Sequence, residues 1–386
     1  MTKKLCSIAL VAALLLSLFF FVLPVQFDRM ANRALRHSPY TPSERALALH
    51  QRLLIADLHC DALLWDRHLL KRNSRGTVDI PRLIEGNVAL QAFTVVTKVP
   101  PGINFERNSD RGDLITLLVM AQRWPIATWG NLRQRAIYQA KKLCDAADHS
   151  EGKLVLIKTA AELQHYLNRR QQDQNITAGF LGIEGAQVLE GELANLDVLF
   201  DAGFRMMSPT HFFDTEVGGS AHGLQKGGLT IMGRKMIKRM EEKKMIVDLA
   251  HASARTIDDV LAIATRPVVV SHTGVKGTCD NIRNLSDDQI RRIAQTGGVI
   301  GIAYFEMAVC GGEALAIAKA IRHAVNLAGI EHVGLGSDFD GAVATPFDAA
   351  GLVQLTDALL AEGFSESEIG LIMGENVLRI LGECLP

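Results

Sequence analysis

Leu53-Leu54-Ile55-Ala56-Asp57-Leu58-His59-Cys60-Asp61 is an apolar, strand-like run that ends in metal-type side chains. In extended chain, alternate residues share a face. His59 and Asp61 therefore reach toward one point, and Cys60 turns the other way, into a core. The layout recurs downstream. With residues 53–58 as the first, strand candidates fall at 89–96, 177–183, 205–209, 245–249, 267–271, 299–304 and 332–336. Amphipathic helical stretches lie between most of them. Residues 132–147 and 160–170 precede the third strand; 191–202, 230–243, 254–264, 287–295 and 313–328 follow in order; 353–361 and 366–381 close the chain. Strands alternating with helices predict an α/β fold, a parallel sheet closed into a (β/α)8 TIM barrel. An open doubly wound sheet is the rival, but no G-x-G-x-x-G follows the first strand.

The chain of 386 residues, 48% hydrophobic and 22% charged, has globular composition and is long enough for a full core. Its formal net charge of −1 offers no global field for nucleic acid, and no nucleic-acid partner is expected. Residues 98–131 form the longest irregular part and contain Pro100-Pro101-Gly102. They read as a substrate loop or as a surface insertion.

The N-terminus stands apart. Lys3 and Lys4 precede an uncharged run from Leu5 to Val25. As a helix it rises about 31 Å, enough for a bilayer core. It ends in Phe19-Phe20-Phe21-Val22-Leu23-Pro24 without a small-residue cleavage site. We expect a signal anchor or transmembrane helix over 1–26, a linker and short lead-in helix over 27–50, and a catalytic barrel over 51–386. Lys3 and Lys4 argue for an inside N-terminus, and Arg29, Arg33 and Arg36 on the other flank blunt that argument. The six cysteines form no CxxC pair, so no zinc knuckle is expected.

Metal-type residues gather at the C-terminal ends of the strand candidates. Besides His59 and Asp61 these are Glu184, His211, Asp248 with His251, His272, and Asp338 with Asp340. A single strand-end histidine is more often a core or surface residue than a ligand. So many on the rim where barrel active sites lie point to a metal centre, with a polar mouth lacking a metal as the bland alternative. Imidazole and carboxylate suit zinc without any thiolate. Three histidines and two carboxylates exceed the needs of one open zinc and suit two ions sharing a carboxylate. Such a pair makes hydroxide at neutral pH, so the reaction class is hydrolysis of a polar bond such as an amide.

These stretches, with Val78-Asp79-Ile80-Pro81-Arg82-Leu83, Val247-Asp248-Leu249-Ala250-His251-Ala252-Ser253, Arg283-Asn284 and Gly336-Ser337-Asp338-Phe339-Asp340-Gly341, resemble the membrane dipeptidases of the renal dipeptidase type, zinc peptidases among the metal-dependent hydrolase barrels. The resemblance runs from about residue 50 to the end. It implies a dipeptidase with two Zn2+ per chain and a hydroxide held between them. His59 and Asp61 would bind one ion, Glu184 would bridge, and His251 and His272 would bind the other. Asp338 would carry the proton. His211 would contact the substrate near its scissile carbonyl, and Arg283 would hold the substrate carboxylate, including that of a C-terminal D-residue. Cys279 and Cys310 fall where mammalian members carry a disulfide, which supports an exported domain, periplasmic or otherwise extracytoplasmic. No hydrophobic tail follows Leu385-Pro386, so anchoring falls to the N-terminal helix. Oligomeric state is unread, a homodimer being one form open to it. The second reading is a related barrel amidohydrolase acting on a lactone, a cyclic amide or an N-acyl amino acid. Arg283 argues for a free carboxylate, which most lactones lack. A non-catalytic binding protein on the same barrel is the third reading, and the complete set of metal-type positions argues against it.

Overall fold

The structure, a computed structural model, describes residues 2–386. Met1, the first residue of the expected anchor, lies outside the described residues. Parallel strands form the centre: β1 (Ile55–Cys60), β2 (Val88–Val96), β3 (Thr177–Glu184), β4 (Met206–Met207), β5 (Ile246–Val247), β6 (Val269–Thr273), β7 (Val299–Ile302) and β8 (Val333–Leu335). Each pairs with its sequence neighbour, and β8 returns to pair with β1. Between β5 and β6 the contact is thinner: Leu249 N donates to Val269 O at 2.8 Å. The result is a nearly closed eight-stranded barrel. All strand candidates appear, trimmed most at β4 and β5.

β1, β2 and β3 are buried along their whole length, as strands covered on both faces must be. Leu58, Leu90, Phe180 and Met206 fill the barrel, and the C-terminal helix Asn376–Cys384 closes its floor through Val377 and Leu381. A larger apolar cluster packs the strands against the outer helices. A third, built on Trp65, Val99, Ile115 and Trp124, lies by the C-terminal mouth.

Two expectations are corrected, and one element is added. Residues 98–131 are not wholly irregular: they hold the helix Leu114–Ala121, capped by Asp113, whose carboxylate accepts from Ile115 N at 3.0 Å. Its sequence is almost uniformly apolar, so no polar stripe marks it as helical. The expected helix over 366–381 is broken into Glu366–Gly370, a π turn at Leu371–Glu375, and Asn376–Cys384. Gly374 sits in the break, where a Cβ would meet Leu54 O at 2.0 Å; the kink lets the chain press against β1. A further strand, Leu154–Leu156, pairs with the start of β3.

At the N-terminus, helix Thr2–Ser17, a π turn at Leu18–Val22 and helix Leu23–Ala31 run end to end. Within residues 4–31, an 18-residue window reaches a mean hydropathy of 2.8, and only 6% of that window is buried. Over residues 27–50 the chain finishes this helix, pairs Arg33–Ala34 with Ala344–Thr345, and forms helix Glu44–His50. Asp28 accepts from Arg75 Nε at 2.7 Å, and Arg67 lies between Asp28 and Asp340, 2.8 Å from the latter.

Candidate metal centre

The predicted site residues converge at the C-terminal mouth. His59 is in β1 and Asp61 just beyond it; Glu184 ends β3; His211 follows β4; His251 follows β5; His272 is in β6; Asp338 follows β8. All are buried. Glu184 is the hub. Its Oε1 lies 2.9 Å from His251 Nε2, 3.4 Å from His272 Nε2 and 3.7 Å from His59 Nε2, and its Oε2 lies 3.2 Å from His211 Nε2. His59 Nε2 is also 3.6 Å from Asp61 and 3.7 Å from Asp338. The donors fall into overlapping groups that could each hold a metal ion: His59, Glu184 and His272; Glu184, His211 and His251; His59, Asp61 and Asp338. Asp338 and His211, expected as proton carrier and substrate contact, thus also stand within reach of the metal positions.

Backbone geometry aims these side chains. The β1–β2 register shifts between Asp57 and Cys60, and the β6–β7 register shifts between Val270 and Thr273. Such irregularities re-aim side chains beside active sites, and here they flank His59 and His272. His251 and Asp338 both have φ of 60°, a left-handed conformation that non-glycine residues adopt at a cost of ~1–3 kcal/mol. Gly336 passes so close to β6 that a Cβ would meet Ser271 O at 1.9 Å.

A second layer of side chains fixes the rings. Ser271 Oγ donates to Asp248 Oδ2 at 2.6 Å, so it accepts from the rings around it. His59 Nδ1 lies 3.2 Å and His272 Nδ1 3.0 Å from that hydroxyl. With Nδ1–H spent there, both Nε2 lone pairs face the centre, the arrangement metal-binding histidines need. Asp57 holds the backbone: it accepts from His59 N at 3.0 Å and from Ser337 N at 2.9 Å, tying β1 to the loop after β8. Thr94, near the end of β2, lies 2.7 Å from Asp61 Oδ1 and 3.2 Å from His59 Nε2.

The electrostatics fit a cation. Burial, reinforced by Asp61, pushes the Glu184 carboxyl well above the usual range. Burial also pushes Asp338 up to about 7, with Asp61 adding to it and His59 opposing. Burial alone would lower His59, but Asp61, Glu184 and Asp338 raise it to about 10. Burial and neighbouring positive groups hold His211, His251 and His272 well below the usual histidine range. Three neutral imidazoles beside crowded carboxylates make a donor set for a divalent cation, and the carboxylates that favour a proton on His59 would favour a cation there instead.

The mouth opens into a cavity of about 720 Å³. Arg283 lines it, fixed by donating Nη2 to His272 O at 2.7 Å, and burial lowers its guanidinium to about 10. Cys279 and Cys310 are disulfide-bonded, with Cα atoms 5.3 Å apart, near Arg283 on the loops after β6 and β7. The sequence reading gave no role to Thr94, Asp57 or His222. His222 lines the cavity; its Nδ1 is 2.5 Å from Phe105 O, and its buried Nε2 has no hydrogen-bond partner among the described residues. A lone loop histidine and a threonine carry no spacing signal. Asp57 carries no signal of its own beyond its place in the β1 run.

With this geometry in place, comparison with known proteins settles the family: the membrane dipeptidase (peptidase family M19) model matches residues 43–384. The chain belongs to the membrane dipeptidase family. It is a metallo-dipeptidase, a hydrolase of peptide bonds, and its donor clusters are those of a metal cofactor. Dipeptidase aclJ of Aspergillus oryzae is 28% identical over 98% of this chain and 88% of its own. The probable dipeptidase PvdM of Pseudomonas aeruginosa shares the fold with a TM-score of 0.74 at 19% identity, over 88% of this chain and 98% of its own. A metallo peptidase from Rhodobacter sphaeroides, liganded with a phosphinate mimic of the dipeptide L-Ala-D-Ala, does so with a TM-score of 0.70 at 23% identity, over 86% and 99%.

Proposed function

We propose that this membrane dipeptidase cleaves small dipeptides with two zinc ions, held by His59 and Asp61 on one side and His251 and His272 on the other, with Glu184 shared. The observation that carries the reading is Glu184: His59, His251 and His272, from three separate strand ends, all stand around its Oε1, and His211 stands at its Oε2. Zinc bound by these residues would supply a water of low pKa and a Lewis acid for the carbonyl. The remaining work falls to the chain's own groups. Arg283 presents a planar, charge-assisted donor to the substrate's C-terminal carboxylate. His211, kept neutral by burial, donates toward the carbonyl oxygen as charge develops there. Asp338 accepts a proton from the attacking water and returns it to the leaving amine. A carboxyl near 7 without a metal becomes a ready base once cations offset the crowding around it.

The phosphinate mimic bound by the Rhodobacter sphaeroides protein makes a C-terminal D-residue a substrate to test here. We also read the N-terminal helix as an uncleaved anchor, residues 51–386 as the catalytic barrel, and that barrel as extracytoplasmic. The Cys279–Cys310 disulfide supports an oxidising compartment.

The test uses the full-length protein in detergent on a panel of L,L and L,D dipeptides, alongside its zinc content. Wild type should turn over, carry two zincs per chain and lose activity to a chelator. Asp338→Asn should lower kcat by about 10²–10⁴-fold, the usual worth of a positioned acid–base group. Activity that survives both perturbations would sink the mechanism.

A further inference from the structure

The N-terminal helix does not simply lead away from the barrel. Phe19, Leu23, Phe27 and Met30 line the same cavity as Asp61, Glu184 and Arg283. The docking has specific ties. Asp28 is buried against Arg67 and Arg75, and Asn32 Oδ1 accepts from Ala342 N at 3.0 Å, beside the loop that carries Asp338. The Phe27 and Trp65 rings are 5.7 Å apart. Arg123 donates to Phe20 O and lies 4.6 Å from the Phe21 ring centroid.

This docking conflicts with a barrel standing clear of the membrane. From Lys4 to Leu18 every residue is exposed. That stretch rises only ~22 Å, against a hydrocarbon core of ~30 Å. Tilting shortens the rise further. Phe19 to Leu23, already against the mouth, must therefore complete the span. The mouth around them is suited to that depth. Ile103 and Leu117, which line the cavity, are 46% and 58% exposed, and Ile126, close in the chain to Trp124 of the cluster by the mouth, is 77% exposed. Of the three tryptophans in the apolar cluster there, Trp65 and Trp124 are buried behind this surface and Trp129 is half-buried. Trp129 therefore has surface for the membrane–water interface that tryptophan favours. The cavity, at about 720 Å³, is of the size that takes a drug-sized ligand, several times what two alanines fill.

We propose that the catalytic mouth opens against the bilayer surface, with the docked half of the N-terminal helix as one wall, and that it takes dipeptides carrying a large apolar group. The inference rests on the reading of the chain as an anchored dipeptidase. The dipeptide backbone reaches Arg283 and Glu184, and the apolar group lies along Phe27 and Leu118. Such amphiphilic substrates concentrate at the surface on which the mouth opens.

The zinc-loaded full-length protein in nanodiscs tests both halves. Lipids brominated high on their acyl chains should quench its tryptophan emission relative to ordinary lipids. Ile126→Asp, at an exposed position, should weaken the quenching. In the same nanodiscs, 2-aminodecanoyl-alanine or alanyl-2-aminodecanoate should show kcat/KM at least ~10-fold above alanyl-alanine, the yield of about two buried methylenes. Phe27→Ser should reduce that ratio several-fold, mainly through KM. Unquenched emission, or an intact mass lacking the N-terminal helix, overturns the placement of the mouth. Equal kcat/KM on small and alkyl dipeptides overturns the substrate class while leaving the dipeptidase reading intact. No turnover of any dipeptide removes the dipeptidase reading, and quenching then still decides how the mouth lies.

Discussion

Asp248 touches no donor atom of the proposed zinc pair, yet it sets the direction of two histidines. Its Oδ1 accepts from Ser271 N at 2.8 Å and Ala250 N at 3.0 Å, and its Oδ2 accepts from the Ser271 hydroxyl. That hydroxyl is then free only as an acceptor for His59 and His272. An asparagine would turn an N–H toward Ser271 and compete with the ring donors. Asp248→Asn should weaken zinc binding by about 10–100-fold, the usual cost of losing such a partner. Competition titration against a chromophoric chelator reads this directly, and an unchanged affinity would refute the relay. At this scale the sequence was informative about donor types and silent about their supports. His59 and Asp61 are legible because strand alternation puts them together. Thr94 and His222 are not, because their partners, Asp61 and Phe105, lie 33 and 117 residues away.

The helix Glu44–His50 is locked to its neighbours by its last residue. His50 Nδ1 is 2.8 Å from Thr356 Oγ1 and Nε2 is 3.1 Å from Gly86 O. Burial lowers its pKa to about 4, against an unfolded value near ~6.5. The unfolded chain therefore binds this proton first. The contribution of neutral His50 is complete above the unfolded pKa and is lost as pH falls from there toward 4. Thermal unfolding at about pH 7 and about pH 5 should show wild type losing more stability on acidification than His50→Gln, which cannot take up the proton. An equal loss would assign the acid sensitivity elsewhere. Element order was well legible, because apolar periodicity switches cleanly between strand and helix. Helix Leu114–Ala121 escaped because it lacks a polar face: Ile115 and Val119 pack in the cluster by the mouth, and Leu117 lines the cavity.

The whole barrel depends on its floor. Val377, Ile380 and Leu381 of the C-terminal helix are fully buried and share one cluster with Leu58, Leu90 and Phe180 from the strands. Leu381→Ala should cost about 2–5 kcal/mol, the range for deleting buried leucine side chains. It should lower the unfolding midpoint without changing zinc stoichiometry, since the metal centre lies at the opposite end of the strands. A midpoint unaltered in differential scanning calorimetry would mean that the floor can relax around the gap.

Alternation and strand-end chemistry were enough to determine the barrel class and the cluster of donors, because each depends on local periodicity or on residue type; the family was legible only through the resemblance of its motifs. Tertiary structure alone decided the rest. It made Glu184 the hub, gave His251 and Asp338 their left-handed backbones, and set Ser271 and Asp248 behind the rings. It also turned the apolar N-terminal run from a separate anchor into a wall of the mouth. That contact joins Asp28 to Arg67 and Asp340, residues far apart in the chain, and no periodicity in a sequence records which distant surfaces meet.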